Sequence, residues 1–118
     1  MRVEKINGKS YVFKLGINAM VEFEKITGEK ITSLEENVSM GVLRTLFYCS
    51  LKGGGESKTK GMTQEEAGDL MDAYIEEYGM ESLAAMIGEV ARAGMGKKES
   101  ERKGNPPAKP KKGSPSTN

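Results

Sequence analysis

The chain of 118 residues has no histidine, no tryptophan and a single cysteine. Its chemistry must therefore be sought among carboxylates, lysines, hydroxyls and Cys49. The absence of histidine removes both the commonest general base and the commonest metal ligand. Cys49 has no histidine or second cysteine to activate or pair with it, so it reads as a small buried hydrophobe. Glu56-Ser57-Lys58-Thr59 has the look of a phosphate-binding loop, but Ser57 stands where a glycine must precede the lysine, and the element before it reads as a helix rather than a strand. Glu65, Asp69, Asp72 and Glu76 form a carboxylate ridge with consecutive members one helical turn apart. It lacks the glycine loop and carbonyl ligands of a calcium site, and is read first as a solvated face and second as a surface for a basic partner. No catalytic, cofactor-binding or metal-ligating set emerges, so the chain is read as non-enzymatic.

Charge divides sharply along the chain. Residues 1–94 carry 11 basic and 15 acidic side chains, a net of −4, whereas residues 95–118 carry 7 and 2, a net of +5. Two regions follow: a folded domain over 1–94 and a basic Pro/Lys/Ser-rich tail over 95–118. That tail cannot bury enough apolar surface to offset its ordering entropy and is expected to be disordered. Its lysines could touch nucleic acid weakly, but no aromatic residue interleaves with them, so nucleic acid is not the expected partner. No apolar run approaches membrane-spanning length, and MRVEKINGKS lacks the apolar core of a secretory leader; a cytoplasmic protein with no membrane partner is expected.

The elements come next. Val3–Ile6 and Ser10–Leu15 flank Asn7-Gly8, the strongest short-range hairpin signal, with Tyr11, Phe13 and Leu15 on one face. Two strands alone are marginal in water, so the hairpin must lie on a helix or add to a sheet on a neighbouring subunit. Ile17–Gly28 is a short amphipathic helix, and the elements before and after it read as built onto it. Asn18 is its expected N-cap, Phe23 and Ile26 its core anchors, Glu24 a solvated residue and Gly28 its left-handed end. Ser33–Glu36 is expected to form a single turn. Ser39 caps a second helix to about Lys52 whose apolar face (Met40, Leu43, Leu46, Phe47, Leu51) is wide enough for the most buried position, with Thr45 on the far side. Gly53–Gly61 reads as a flexible loop. Thr63-Gln64-Glu65-Glu66 is a capping box opening a third helix, and Gly79 leads directly into a fourth over Met80–Ala93. The expected fold is α+β and predominantly helical, a hairpin packed on about four helices.

Apolar seams on the last two helices supply the candidate binding residues. Met80, Leu83, Met86, Ile87 and Val90 form the first candidate for a client or subunit interface, and Leu70, Met71 and Tyr74 the second. Eight methionines without a tryptophan suit an adaptable apolar surface. Core packing is the competing reading for each of these residues. A domain this small also gains from assembly, so a homo-oligomer stays open.

The order of hairpin, glycine, short helix ending Phe23-Glu24-Lys25-Ile26-Thr27-Gly28, two-part connection, helix, Gly-rich loop, Met62-Thr63-Gln64-Glu65-Glu66 and helical pair resembles the tail assembly chaperones of long-tailed (siphovirus-type) phages and prophages. Related proteins occur in gene-transfer-agent clusters. The likeness spans about residues 3–94. Asn7-Gly8 leading into Tyr11–Leu15, the Glu24…Thr27-Gly28 helix end and the capped Thr63 helix carry it; these are patterns of fold rather than a reactive signature. The resemblance implies a non-enzymatic chaperone that keeps the apolar tape-measure protein soluble and helps recruit tail-tube subunits. It also implies action in the cytoplasm of the bacterial host and absence from the mature virion. Many members are made in two lengths through ribosomal slippage, which fits a chain ending in a non-globular extension. The alternative is a small phage or prophage regulator that binds nucleic acid through the basic tail.

Overall fold

A computed structural model describes residues 1–33 and 38–96. The architecture is the expected one: a two-stranded antiparallel hairpin followed by four α-helices. Strands β1 (Arg2–Ile6) and β2 (Lys9–Phe13) pair in the register Arg2↔Phe13, Val3↔Val12, Glu4↔Tyr11. Between them Asn7 and Gly8 adopt φ of +53° and +78°, as a two-residue type I′ turn requires. Pleating places Ile6 and Phe13 on the inner face, both fully buried. Leu15, just past β2, is buried beside them.

Helix α1 spans Ile17–Thr27. Its N-cap is Gly16 rather than Asn18: the Gly16 carbonyl accepts the first helical bond from Met20 N at 2.9 Å, and no side chain caps the turn. Gly28 closes it at φ +74°, as expected. Met20 and Phe23 are buried, but Ile26 is exposed. At 100° per residue Ile26 lies about 90° around the helix from the line between Met20 and Phe23, beyond the reach of the core. Glu24 is also not the solvated residue expected, because its Oε2 accepts the Ile31 N–H at 3.0 Å. That bond ties α1 to a single 3₁₀ turn at Ile31–Ser33, whose Ile31 is buried. Of the turn expected over Ser33–Glu36, Ser33 closes this 3₁₀ turn, and residues 34–36 lie outside the described residues.

Helix α2 (Met40–Gly53) starts at Ser39, whose Oγ accepts the Val42 N–H at 3.2 Å. It packs against α1, β2 and both later helices, the central position its wide apolar face implied. Phe47 meets Phe13 edge-on, with ring centroids 5.1 Å apart. Two details differ from expectation. Met40, at the exposed first turn, stays outside the core, and Thr45 is buried. The Thr45 hydroxyl donates to Gly41 O at 2.9 Å, which satisfies it locally and lets its methyl group pack inward.

Helix α3 (Gln64–Tyr78) opens on the complete capping box, with Glu66 N donating to Thr63 Oγ1 and Thr63 N to Glu66 Oε1. Gly79 alone separates it from α4 (Met80–Gly94), and the two helices pack on each other. The tail expected from residue 95 lies, from 97 onward, outside the described residues.

Candidate binding surface

The segment after α2, expected to be flexible, is instead built onto the hairpin. A 3₁₀ turn at Ser57–Thr59 is anchored by Thr59, fully buried, whose hydroxyl donates to Leu51 O at 3.2 Å and Glu56 O at 3.1 Å. Glu56 Oε1 accepts the Val12 N–H at 2.9 Å, Ser50 O accepts the Lys14 N–H at 3.0 Å, and the Lys58 ammonium donates to Ser10 O. Lys58 also sits over the Tyr11 ring, 4.5 Å from its centroid. Side chains and backbone thus close the outer edge of β2. The lysine of the phosphate-loop lookalike is a clamp on a strand, turned away from any anion cradle.

Close backbone approach makes this docking specific. A Cβ on Gly54 would overlap the Val12 carbonyl oxygen and stand 2.9 Å from its carbon. Gly53 meets the Lys14 carbonyl and Gly94 the Leu15 carbonyl in the same way. The C-terminal ends of α2 and α4 both rest on the strand exit through glycines.

At the other edge, β1 brings charge inward. Arg2 Nε donates to Glu4 Oε2 at 2.5 Å, and its Nη1 to Glu89 Oε1, linking β1 to α4. Partial burial pulls the Arg2 pKa down, but the hydrogen bond to Glu4 and the charges of Glu4 and Glu89 more than offset it, for a net rise. Tyr74 beside this cluster is 3 % exposed, and burial, with the Glu4 charge adding and Arg2 opposing, pushes its phenol up to about 12. The Tyr78 ring lies tilted against Tyr74, with centroids 4.7 Å apart and planes at 47°, and its hydroxyl donates to Lys5 O at 2.7 Å. Cys49 is buried, and desolvation first, then the Glu22 charge against the weaker pull of Lys52, raises its thiol to about 11. Both groups stay protonated at neutral pH and are poor nucleophiles there. The ridge of Glu65, Asp69, Asp72 and Glu76 is exposed, and among the described residues no group of three or more His, Cys, Asp or Glu could hold a metal ion.

The candidate interface residues fall mostly inside. Leu83, Met86, Ile87, Val90, Met71 and Tyr74 are buried in the chain's own core, because α2, α3 and α4 pack together over those seams. Only Met80, exposed, and Leu70, half-buried, reach the surface. The large apolar side chains left outside stand elsewhere. Ile17 and Val21, 72 % and 51 % exposed, lie one turn apart on the outer side of α1. Tyr78 and Met80 flank Gly79 at the α3–α4 corner. Leu70 and Met62 line a shallow groove of about 520 Å³ with Asn7, Lys58, Glu66 and Asp69 around them. Sequence reasoning missed the Ile17–Val21 pair. The signal was the second apolar stripe at i, i+4 spacing, about 110° around the helix from the Met20–Phe23 line.

Comparison with protein-family models, with curated proteins and with solved structures finds no match for this chain.

Proposed function

We propose that this chain is a tail assembly chaperone of a long-tailed phage or prophage. It binds the tape-measure protein and helps recruit tail-tube subunits during tail morphogenesis, without catalysing a reaction. The observation that carries the reading is the surface left after the core is complete. Exposed branched and flexible apolar side chains stand in small groups on α1 and at the α3–α4 corner, within a domain of net negative charge. Such groups, Ile17 and Val21 one helical turn apart and Tyr78 and Met80 on either side of a single glycine, suit transient contact with an apolar, helix-forming client rather than a permanent dry interface. The buried, protonated state of Cys49 and Tyr74 supports a non-catalytic role. The order of elements matches the one that carried the resemblance to this family, and the client face shifts from the α4 seam to Ile17, Val21, Tyr78 and Met80.

Co-expression with a tape-measure fragment from the same genome tests the reading. The fragment is expected in the soluble fraction beside the wild-type chain and in the pellet without it. A fragment that stays insoluble in both cases contradicts the chaperone. The chaperone is also expected in the host cytoplasm and missing from purified virions, which mass spectrometry of both fractions reads directly.

A further inference from the structure

The two edges of the hairpin are treated differently. The edge of β2 is closed by Glu56, Lys58 and the Ser50 carbonyl. Antiparallel pairing alternates bonded and non-bonded pairs, and Val12 N points away from β1, so its opposite number Val3 turns its own N–H and C=O outward. Among the described residues nothing bonds those two groups or the Lys5 N–H, and the Val3 side chain is 58 % exposed. The Lys5 carbonyl is occupied by the Tyr78 hydroxyl, so the open length of the edge is centred on Val3.

We infer that β1 pairs with β1 of a second copy, in antiparallel register about a two-fold axis at Val3, giving a continuous four-stranded sheet. The residues on the edge select this register. An axis at Arg2, Glu4 or Lys5 sets each of those charges opposite itself, which is destabilising for directly facing strand residues. An axis at Val3 sets Arg2 opposite Glu4 of the second copy at both flanks and valine opposite valine at the centre. Because Val3 also faces Val12 within the hairpin, the assembled sheet carries a row of four valines, Val12–Val3–Val3–Val12, across its outer side. The pair at the axis exchanges two backbone bonds, and the Lys5 N–H reaches the carbonyl of Met1 on the other copy. The interface is isologous and closes on itself, so it stops at a dimer. A two-stranded sheet of marginal stability gains two further strands. This inference is independent of the tape-measure reading.

Sedimentation equilibrium on the full chain tests it, with twice the 12.8 kDa of one chain expected at hundred-micromolar concentration. Val3→Lys places like charges at the axis and should return the monomer mass without changing the circular dichroism spectrum. Trapping through one introduced cysteine, in a chain whose own Cys49 is buried, checks the register even if that variant folds poorly. Under mild oxidation Val3→Cys should cross-link on the order of tenfold or more faster than Lys5→Cys. The two Lys5 positions stand about 14 Å apart along the strands in this register, too far for a disulfide. A monomer at all concentrations overturns the inference. So do equal cross-linking rates at the two positions, whatever the mass.

Discussion

Gly54→Ala separates local preference from packing by the sign of its effect. Gly54 sits at φ −69° and ψ −18°, a right-handed conformation that alanine adopts without strain. Judged locally, the substitution should stabilise the chain by about 0.4–1 kcal/mol through a stiffer unfolded state. The tertiary contact predicts the opposite. The new Cβ would overlap the Val12 carbonyl oxygen, with its carbon at 2.9 Å and the Val12 Cβ at 3.2 Å. Relief requires β2 to withdraw from the end of α2 by about an ångström. At that separation the Lys14 N–H to Ser50 O bond, now 3.0 Å, passes out of hydrogen-bonding range, and the Val12 N–H to Glu56 bond at 2.9 Å is strained with it. Two such bonds contribute about 1 kcal/mol each, and loosening the edge-on Phe13–Phe47 contact adds about 1 more. Net of the local gain, the loss is roughly 2 kcal/mol, or a fall in Tm of about 8–16 °C for a domain of this size. Thermal unfolding followed by circular dichroism measures it, with Gly41→Ala as the control. Gly41 lies in the first turn of α2 with nothing nearer than Ser39 Oγ at 3.9 Å, so alanine there should raise Tm slightly. A Gly54→Ala variant as stable as wild type would refute the tight docking of β2 on α2.

Glu56→Ala should cost about 1–2 kcal/mol, because it leaves the Val12 N–H without its acceptor, whereas Glu56→Gln retains the acceptor and should cost under about 0.5 kcal/mol; urea titration distinguishes them. Phe47→Ala should cost about 3–5 kcal/mol, since the ring is fully buried against Phe13, and should leave a chain partly unfolded at 37 °C by the same titration. Stability should fall at high pH. The Cys49 thiol rises from 9.0 to about 11 on folding, so the folded state holds its proton more tightly; that contribution is complete below pH 9 and is lost as pH climbs through about 11. Tyr74 extends the loss towards pH 12. Cys49→Ala should start from lower stability but lose less of it between pH 9 and 11 in a series of urea titrations.

What could be read from the sequence was whatever neighbouring residues decide among themselves. Asn7-Gly8 needs only two residues tolerant of positive φ, and the Thr63–Glu66 box closes within four residues, so both were legible. Ser39 and Gly28 belong to the same class. Gly53–Gly61 was misread because its order comes from Val12, Lys14 and Ser10, some forty residues away, and composition alone says only that such a segment is cheap to bend. Glu24 was misread for the same reason, its partner being the Ile31 N–H beyond the helix end. Ile26 shows the limit of periodicity over three turns, where the direction of the core is poorly defined. The candidate site was the least legible part. An apolar stripe on α4 states that something must cover Leu83, Met86, Ile87 and Val90, but not whether the cover is α2 and α3 or a client. Once the chain's own helices take that place, the surface question passes to Ile17 and Val21, which local pattern had assigned to no partner.

Co-elution of the purified chain with a tape-measure segment on size exclusion tests the proposed function most directly, comparing wild type with the double variant Ile17→Asp and Val21→Asp. Both positions are exposed, so the variant should keep its Tm. The segment is expected to elute with the wild-type chain and to be released by the variant. A segment that never joins the wild-type peak contradicts the chaperone, and one that stays with the variant contradicts the α1 surface.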